Sequence, residues 1–139
     1  RGLCPVHLTS LGLEASLEEL AASTSAIFNI TCILRCPRHI PIRDNSLATH
    51  LYYIAKESIH NAIEHGKSSK IVMELLNNRG TVSLSILDNG GGIRDTAKAV
   101  GIGLRIMEYR ARMIGAILRI ESEPGGGTLV TCTFNLMKD

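Results

Sequence analysis

Apolar residues recur three and four apart in "LEASLEELAAS", residues 13–23, and this spacing predicts a short amphipathic helix with Glu14, Glu18 and Glu19 toward its start. The next segment, "AIFNITCIL" at 26–34, alternates. Phe28, Ile30, Cys32 and Leu34 share one face, so it reads as a strand. Pro37 and Pro41 then interrupt "RCPRHIPIRDN". A long helix is expected from Ser46 to about His65, with Ser46 or Asn45 as its N-cap and Gly66 as its stop. Residues 70–76 and 81–88 form two strands joined by the hairpin signal "NNRG". Residues 89–102 hold no regular pattern. A helix then opens at "GLRIMEYRARMIG", where Leu104, Met107, Ala111 and Ile114 share a stripe closed by Gly115. "AILRIES" and "TLVTCTFNL" are strands separated by the glycine turn "EPGGG". About three helices and five strands, the last four mostly hairpin-linked, predict an α+β fold. Its helices would be layered on one face of a mixed, largely antiparallel five-stranded sheet.

The length of 139 residues fits a single domain over 1–139 with one core, and Arg1 rather than Met at the start suggests a piece of a longer chain. Net charge is +2 and aromatics are 4% with no Trp, which argues against a nucleic-acid partner read by stacking or by a basic stripe. No apolar run approaches the roughly 20 residues of a membrane span. Among the four cysteines, "CILRC" has the wrong spacing for a zinc pair, so reduced, buried thiols of a cytoplasmic domain are expected.

Candidate chemistry concentrates in two places. Nine of the 13 glycines lie between Gly90 and Gly127. "DNGGGI" at 88–93 follows a strand and "GIGL" at 101–104 precedes the expected helix, an arrangement suited to bringing backbone N–H groups to a phosphate. Asp88 shares strand parity with Val82, Leu84 and Ile86, which points a carboxylate at the core side, where it needs a donor or a ligand. It could cap the following turn, or accept a hydrogen bond from an exocyclic amine such as that of adenine. "GKS" at 66–68 is not a P-loop, because the required first glycine falls at Asn61. A dinucleotide G-x-G-x-x-G fails at Ile106.

The second place is "ESIHNAIEHGKSS", residues 57–69. Glu57 and Asn61 lie about 40° apart around a helix, and His60 and Glu64 flank them in one polar face. A stacked carboxylate and amide are oxygen ligands suited to Mg²⁺, whereas His60 and Glu64 lack a third ligand for zinc. A merely solvated helix face is the competing reading.

Together these segments resemble the GHKL, or Bergerat, ATP-binding fold. "ESIHNAIEHG" looks like its N box, "LDNGGGI" like its G1 box and "GIGL" like its G2 box. "GIGLRIMEYRARMIGAILRIESEPGGGTLVTCTF" resembles the end of the catalytic domain of sensor histidine kinases, in the subfamily that signals to LuxR/NarL-type response regulators. "RGLCPVHLTSLGLEASLEELA" is similar to that subfamily's junction with its dimerisation helices, which would make residues 1–12 a linker.

The resemblance implies a two-layer α/β sandwich that uses ATP and Mg²⁺. It implies that Asp88 recognises the adenine amine and that Thr128 helps to close the base pocket. Asn61 would ligate Mg²⁺ and Glu57 would polarise or deprotonate the attacking group. Gly90, Gly92, Gly101 and Gly103 would shape the lid and its hinges, with Ile93 and Leu104 beside the nucleotide. Glu64 stands where the family often has a basic residue, so His65, Lys98 or Arg94 would neutralise phosphate. Ile106 and Ala116 replace glycines common in the subfamily. His7, His39 and His50 lack the acidic neighbour of a phosphoacceptor, so the substrate histidine would lie upstream, on the parent's own dimerisation helices. The fragment would be monomeric, nearly inactive alone and cytoplasmic, its parent a homodimer whose membrane anchoring is left open. Two rivals stand beside this reading: an anti-sigma-type GHKL serine kinase, and a non-catalytic nucleotide-binding regulatory module.

Overall fold

A computed structural model describes residues 12–91 and 97–136, with the side chains of the second segment described from Gly101 on. Helix α1 spans Gly12–Phe28, strand β1 Thr31–Arg35 and helix α2 Asn45–Glu64. The hairpin of β2 (Lys70–Asn78) and β3 (Thr81–Asp88) comes next. Helix α3 (Ala97–Met113) leads into a second hairpin, β4 (Ile117–Ser122) and β5 (Thr128–Asn135). The strands form one sheet in the order β1-β2-β3-β5-β4, with β1 parallel to β2 and the remaining pairs antiparallel. Among the described residues the expected α+β architecture, a mixed five-stranded sheet with three helices, is therefore the one observed.

Period-two alternation decides which sheet face is covered. Ile71, Met73 and Leu75 of β2, Val82, Leu84 and Ile86 of β3, and Val130, Cys132 and Phe134 of β5 are all buried. They meet Leu51, Ile54, Ala55 and Ile59 of α2, Leu17 of α1, and Met107 and Ala111 of α3. Burial of each large aliphatic side chain of this kind contributes about 1.5–3 kcal/mol. The opposite face, with Ile33, Leu76 and Leu87, is open.

Three element boundaries differ from the sequence expectation. Helix α1 does not stop near Ser23; it continues to Phe28, and the strand begins only at Thr31. Asn29 adopts the left-handed conformation (φ 55°) that ends a helix, and Ser25 Oγ both accepts from Cys32 N and donates to Cys32 O, each at 3.0 Å. That clasp ties the last helical turn to β1 and overrides the alternation at 26–30. Helix α2 is capped by Asp44, not by Ser46 or Asn45: its Oδ1 accepts from the amides of Ser46 (2.9 Å) and Leu47 (3.2 Å). Helix α3 begins at Ala97, so "GIGL" lies within it rather than ahead of it. The "NNRG" hairpin is as expected. Arg79 and Gly80 both take positive φ (55° and 92°), which matches a two-residue turn to the strand twist.

Candidate nucleotide site

Strand register aligns the residues that matter. Ile71 on β2 faces Asp88 on β3, and Asp88 faces Thr128 on β5, so one row crosses the sheet at its edge nearest the C-terminal end of α2. Asp88 and Thr128 are both buried, as their parity predicted. A carboxylate in that position needs donors. Its Oδ1 accepts from Ser68 Oγ at 2.9 Å and from Gly90 N at 2.8 Å.

The backbone around Asp88 is held by close approach. Gly91 N donates to Gly66 O at 2.9 Å, Asn89 N to Lys70 O at 3.2 Å, and Asn89 Oδ1 accepts from the amides of Ser69 and Lys70. A Cβ at Gly90 would run into the Gly66 carbonyl and Ser68 Oγ, and a Cβ at Gly127 into the Asp88 carbonyl. Gly127 also has φ +102°, so glycine is required there twice over. The "EPGGG" turn thus does more than reverse the chain. It seats against the loop that follows Asp88.

The row closes one side of a cleft lined by Ser58, Asn61, Ala62, His65 and Gly66 of α2 and its C-terminal end, Leu104 and Met107 of α3, and Asp88, Thr128 and Val130 of the sheet. Five expected site residues therefore converge: Asn61, His65, Asp88, Leu104 and Thr128. Glu57 does not line this cleft; it lies against α3 beside it, where a Cβ at Gly103 would strike Glu57 Oε2 and lie 3.5 Å from Asn61 Nδ2. A Cβ at Gly101 would meet nothing within 4 Å, so this glycine is away from these contacts. Gly92, Ile93 and Arg94 fall outside the described residues, as does the side chain of Lys98.

With α3 in this position the cleft amounts to about 20 Å³, the space of a single water. Met107 is fully buried and accepts from Ser58 Oγ at 3.3 Å, so α3 is packed down onto the cleft. At that volume the cleft as it stands has no room for a purine. The polar face of α2 is also not one patch. Asn61 and His65 turn into the cleft, whereas His60 and Glu64 line an apolar groove against Leu20, Ile27 and Phe28 of α1.

Two contributors escaped sequence reading. Ser68 holds Asp88, yet "GKSS" offers only the discarded P-loop match. Gly127 was visible as part of a glycine turn, but its partner, the Asp88 carbonyl, is set by the β3–β5 register.

Among the described residues, Cys32, Cys36 and Cys132 are free thiols, and no group of three His, Cys, Asp or Glu could hold a metal ion. Cys4 lies outside those residues.

Residues 46–138 match the family described as histidine kinase-, DNA gyrase B- and HSP90-like ATPases. The nitrate/nitrite sensor protein NarX of Escherichia coli K12 is 33% identical over 133 residues, which is 93% of this chain and 22% of NarX. The chain thus spans about a fifth of that relative's length. Two solved structures share the fold. The histidine kinase domain of the Erythrobacter litoralis EL346 blue-light activated histidine kinase has a TM-score of 0.71 at 21% identity, covering 89% of this chain and 61% of that one. The ATP binding domain of PrrB from Mycobacterium tuberculosis has a TM-score of 0.68 at 19% identity, covering 89% and 93%. An acceptor carboxylate beneath glycine-held loops, an amide and a carboxylate one turn apart on α2, and a family match over two thirds of the residues agree: the chain belongs to the histidine kinase-, DNA gyrase B- and HSP90-like ATPases.

Proposed function

We propose that the chain binds Mg-ATP and donates the γ-phosphate to a histidine on the dimerisation helices of its own kinase, in two-component signalling to a LuxR/NarL-type response regulator. The observation that carries this reading is Asp88. It is a buried carboxylate whose Oδ1 is occupied by Ser68 and Gly90, so the same group can offer its other oxygen to an adenine amine in the cleft. Thr128, its cross-strand partner, closes the base pocket beside it. His65 and Lys98 neutralise phosphate in this reading, and Gly92, Ile93 and Leu104 flank the nucleotide.

Asn61 fits Mg²⁺. Its amide faces the cleft one helical turn from the Glu57 carboxylate, and oxygen donors are what that hard cation takes. When bound, the ion would offset the charge of the phosphates. Phosphoryl transfer depends mainly on positioning and charge stabilisation, so the protein's part is to hold the acceptor in line and to manage its proton. Glu57 does this by accepting a hydrogen bond from the N–H of the ring nitrogen that does not attack, which orients the ring, fixes its tautomer and leaves the lone pair of the attacking nitrogen toward phosphorus. Gly103 allows α3 to pass close to that carboxylate.

The parent is read as a homodimer and the isolated chain as a monomer of low activity. The test uses the full-length kinase with radiolabelled ATP. Wild type should gain acid-labile, alkali-stable phosphate, and Glu57→Gln should lose transfer by about 10²-fold with Mg-ADP affinity kept, in line with removal of a general base. An acid-stable phosphoserine, or full transfer by Glu57→Gln, would overturn the assignment.

A further inference from the structure

A concavity of about 760 Å³ lies at the end of the molecule opposite Asp88. Register fixes that placement: Asp88 pairs with Thr128 at one end of β5, and Thr81, beside the β2–β3 turn, pairs with Asn135 at the other. The approach to α2 and its first turn contribute Pro41 and Leu47, the end of α3 contributes Met113 and Ile114, and the end of β5 contributes Phe134 and Leu136. It shares no lining residue with the cleft beside Asp88. Its floor is apolar and incompletely covered: Met113 is 55% exposed, and Leu47, Ile114 and Leu136 are half-buried. Arg43 and Asp44 bring opposite charges to the rim, which therefore favours neither an anion nor a cation. Apolar cover is what such a surface gains from.

The chain enters the domain at this same end. Ser25 is clasped to Cys32 near the start of β1, where Thr31 pairs with Lys70, so α1 finishes on the Asp88 side of the sheet. At 1.5 Å per residue its first turn lies roughly 20 Å from that clasp, toward the concavity. The first turn is also tied down there. Glu14 Oε2 accepts from Ile40 N at 2.6 Å, and Pro41, the next residue along, lines the concavity. Gly12, with φ +88°, therefore delivers the preceding chain close to the rim.

We propose that residues 1–11 of this chain occupy the concavity, with Val6 and Leu8 seated against Met113, Ile114 and Leu47. That segment lies outside the described residues, and five of its side chains, Leu3, Cys4, Val6, Leu8 and Leu11, are apolar. Its reach suffices. At about 3.3–3.6 Å per extended residue, Leu8 extends up to roughly 14 Å from Gly12 and Val6 up to roughly 21 Å. Seating there fastens the incoming chain to α3. That helix ends at Met113 in this concavity and sets Leu104 and Met107 on the cleft beside Asp88, so the two sites share one element. The seat holds whether or not the cleft takes a nucleotide.

The test uses the intact protein and two readouts: the peptide captured by a benzophenone amino acid in place of Met113, and melting followed by circular dichroism. Irradiation should join position 113 to a peptide from residues 1–11 of the same molecule, in a yield independent of protein concentration. Val6→Ser/Leu8→Ser should lower the melting temperature by roughly 6–12 °C, the loss expected when apolar cover of this size is removed. Met113→Ser changes an exposed side chain and leaves the fold intact. In that background the loss from the serine pair should fall to about half or less, because the partners touch. Losses that simply add, or a serine pair that melts with wild type, would overturn the proposal. Capture of residues 137–139, or of a second copy in a concentration-dependent dimer, would overturn it too. Where the serine pair does not fold, the identity of the captured peptide decides alone.

Discussion

Replacement of Asp88 separates two tasks, one observed and one proposed, that fall to different atoms of the carboxylate. Oδ1 accepts from Ser68 Oγ at 2.9 Å and from Gly90 N at 2.8 Å. An asparagine whose carbonyl oxygen takes the Oδ1 position keeps both bonds, now to a neutral acceptor, so Asp88→Asn should cost about 1 kcal/mol of stability or less. Alanine removes the acceptor altogether. Ser68 is only 7% exposed, so its hydroxyl loses its partner without ready access to water. With about 1–3 kcal/mol for each buried donor left unsatisfied, Asp88→Ala should cost roughly 2–4 kcal/mol. At roughly 4 °C per kcal/mol for a chain of this size, the alanine variant melts about 8–16 °C lower. Nucleotide affinity should respond in the reverse proportion. Asparagine turns an amide N–H₂ toward the ligand, donor against donor, and loses a charge-assisted bond worth about 1.5–3 kcal/mol, so Mg-ADP should bind about 10²-fold more weakly. Chemical denaturation followed by circular dichroism and calorimetric titration with Mg-ADP measure the two effects separately. If Asp88→Asn binds Mg-ADP within about threefold of wild type, adenine recognition by Asp88 is wrong. If it is as unstable as Asp88→Ala, the argument from Oδ1 geometry fails.

Other outcomes follow from local geometry. Gly101 and Gly103 sit two residues apart in α3, but only Gly103 is crowded. Gly101→Ala should raise stability by about 0.5–1 kcal/mol, whereas Gly103→Ala should push the Glu57 carboxylate aside and slow phosphoryl transfer by about tenfold with little change in melting. Equal kinetics for the two variants would refute the Glu57–Gly103 contact. Gly127→Ala meets both a φ of +102° and the Asp88 carbonyl, and should cost about 3 kcal/mol or more by denaturant titration. Burial pushes the Cys32 and Cys132 thiols from 9.0 up to about 11. The folded state therefore keeps protons that the unfolded state releases. This contribution to stability is intact below pH 9.0 and is lost as pH rises through about 11. Melting temperatures should fall across that window, less so in a Cys32→Ala/Cys132→Ala protein, and native alkylation of both thiols at pH 8 should be slow.

Much of the site could be read from the chain because periodicity is local. Alternation along β3 and β5 is enough to put Asp88 and Thr128 on the side of Leu84 and Cys132, and the four-residue step from Glu57 to Asn61 is enough to stack them on α2. The amphipathic stripe of α3 was equally plain, with Met107 and Ala111 buried and Leu104 and Ile114 half-buried. What spacing could not decide is how separate elements meet. The clasp of Ser25 on Cys32 carries α1 five residues beyond its expected end. The backbone conformation at 97–102 makes a helix of glycine-containing sequence that propensity alone would leave irregular. Tertiary packing also divides the polar face of α2 between the cleft beside Asp88 and the groove against α1, because α1 and α3 lie against different sides of it.

Asp88 shows the division most clearly. Its residue type and strand parity, both local, determined that a carboxylate would point inward. Ser68 as its partner, and glycine at 90 and 127 as the condition for its setting, were decided by register across β2, β3 and β5 and by the approach of the turn after α2. Those contacts join residues 20 to 40 positions apart, and a chain records such distances only once it has closed on itself.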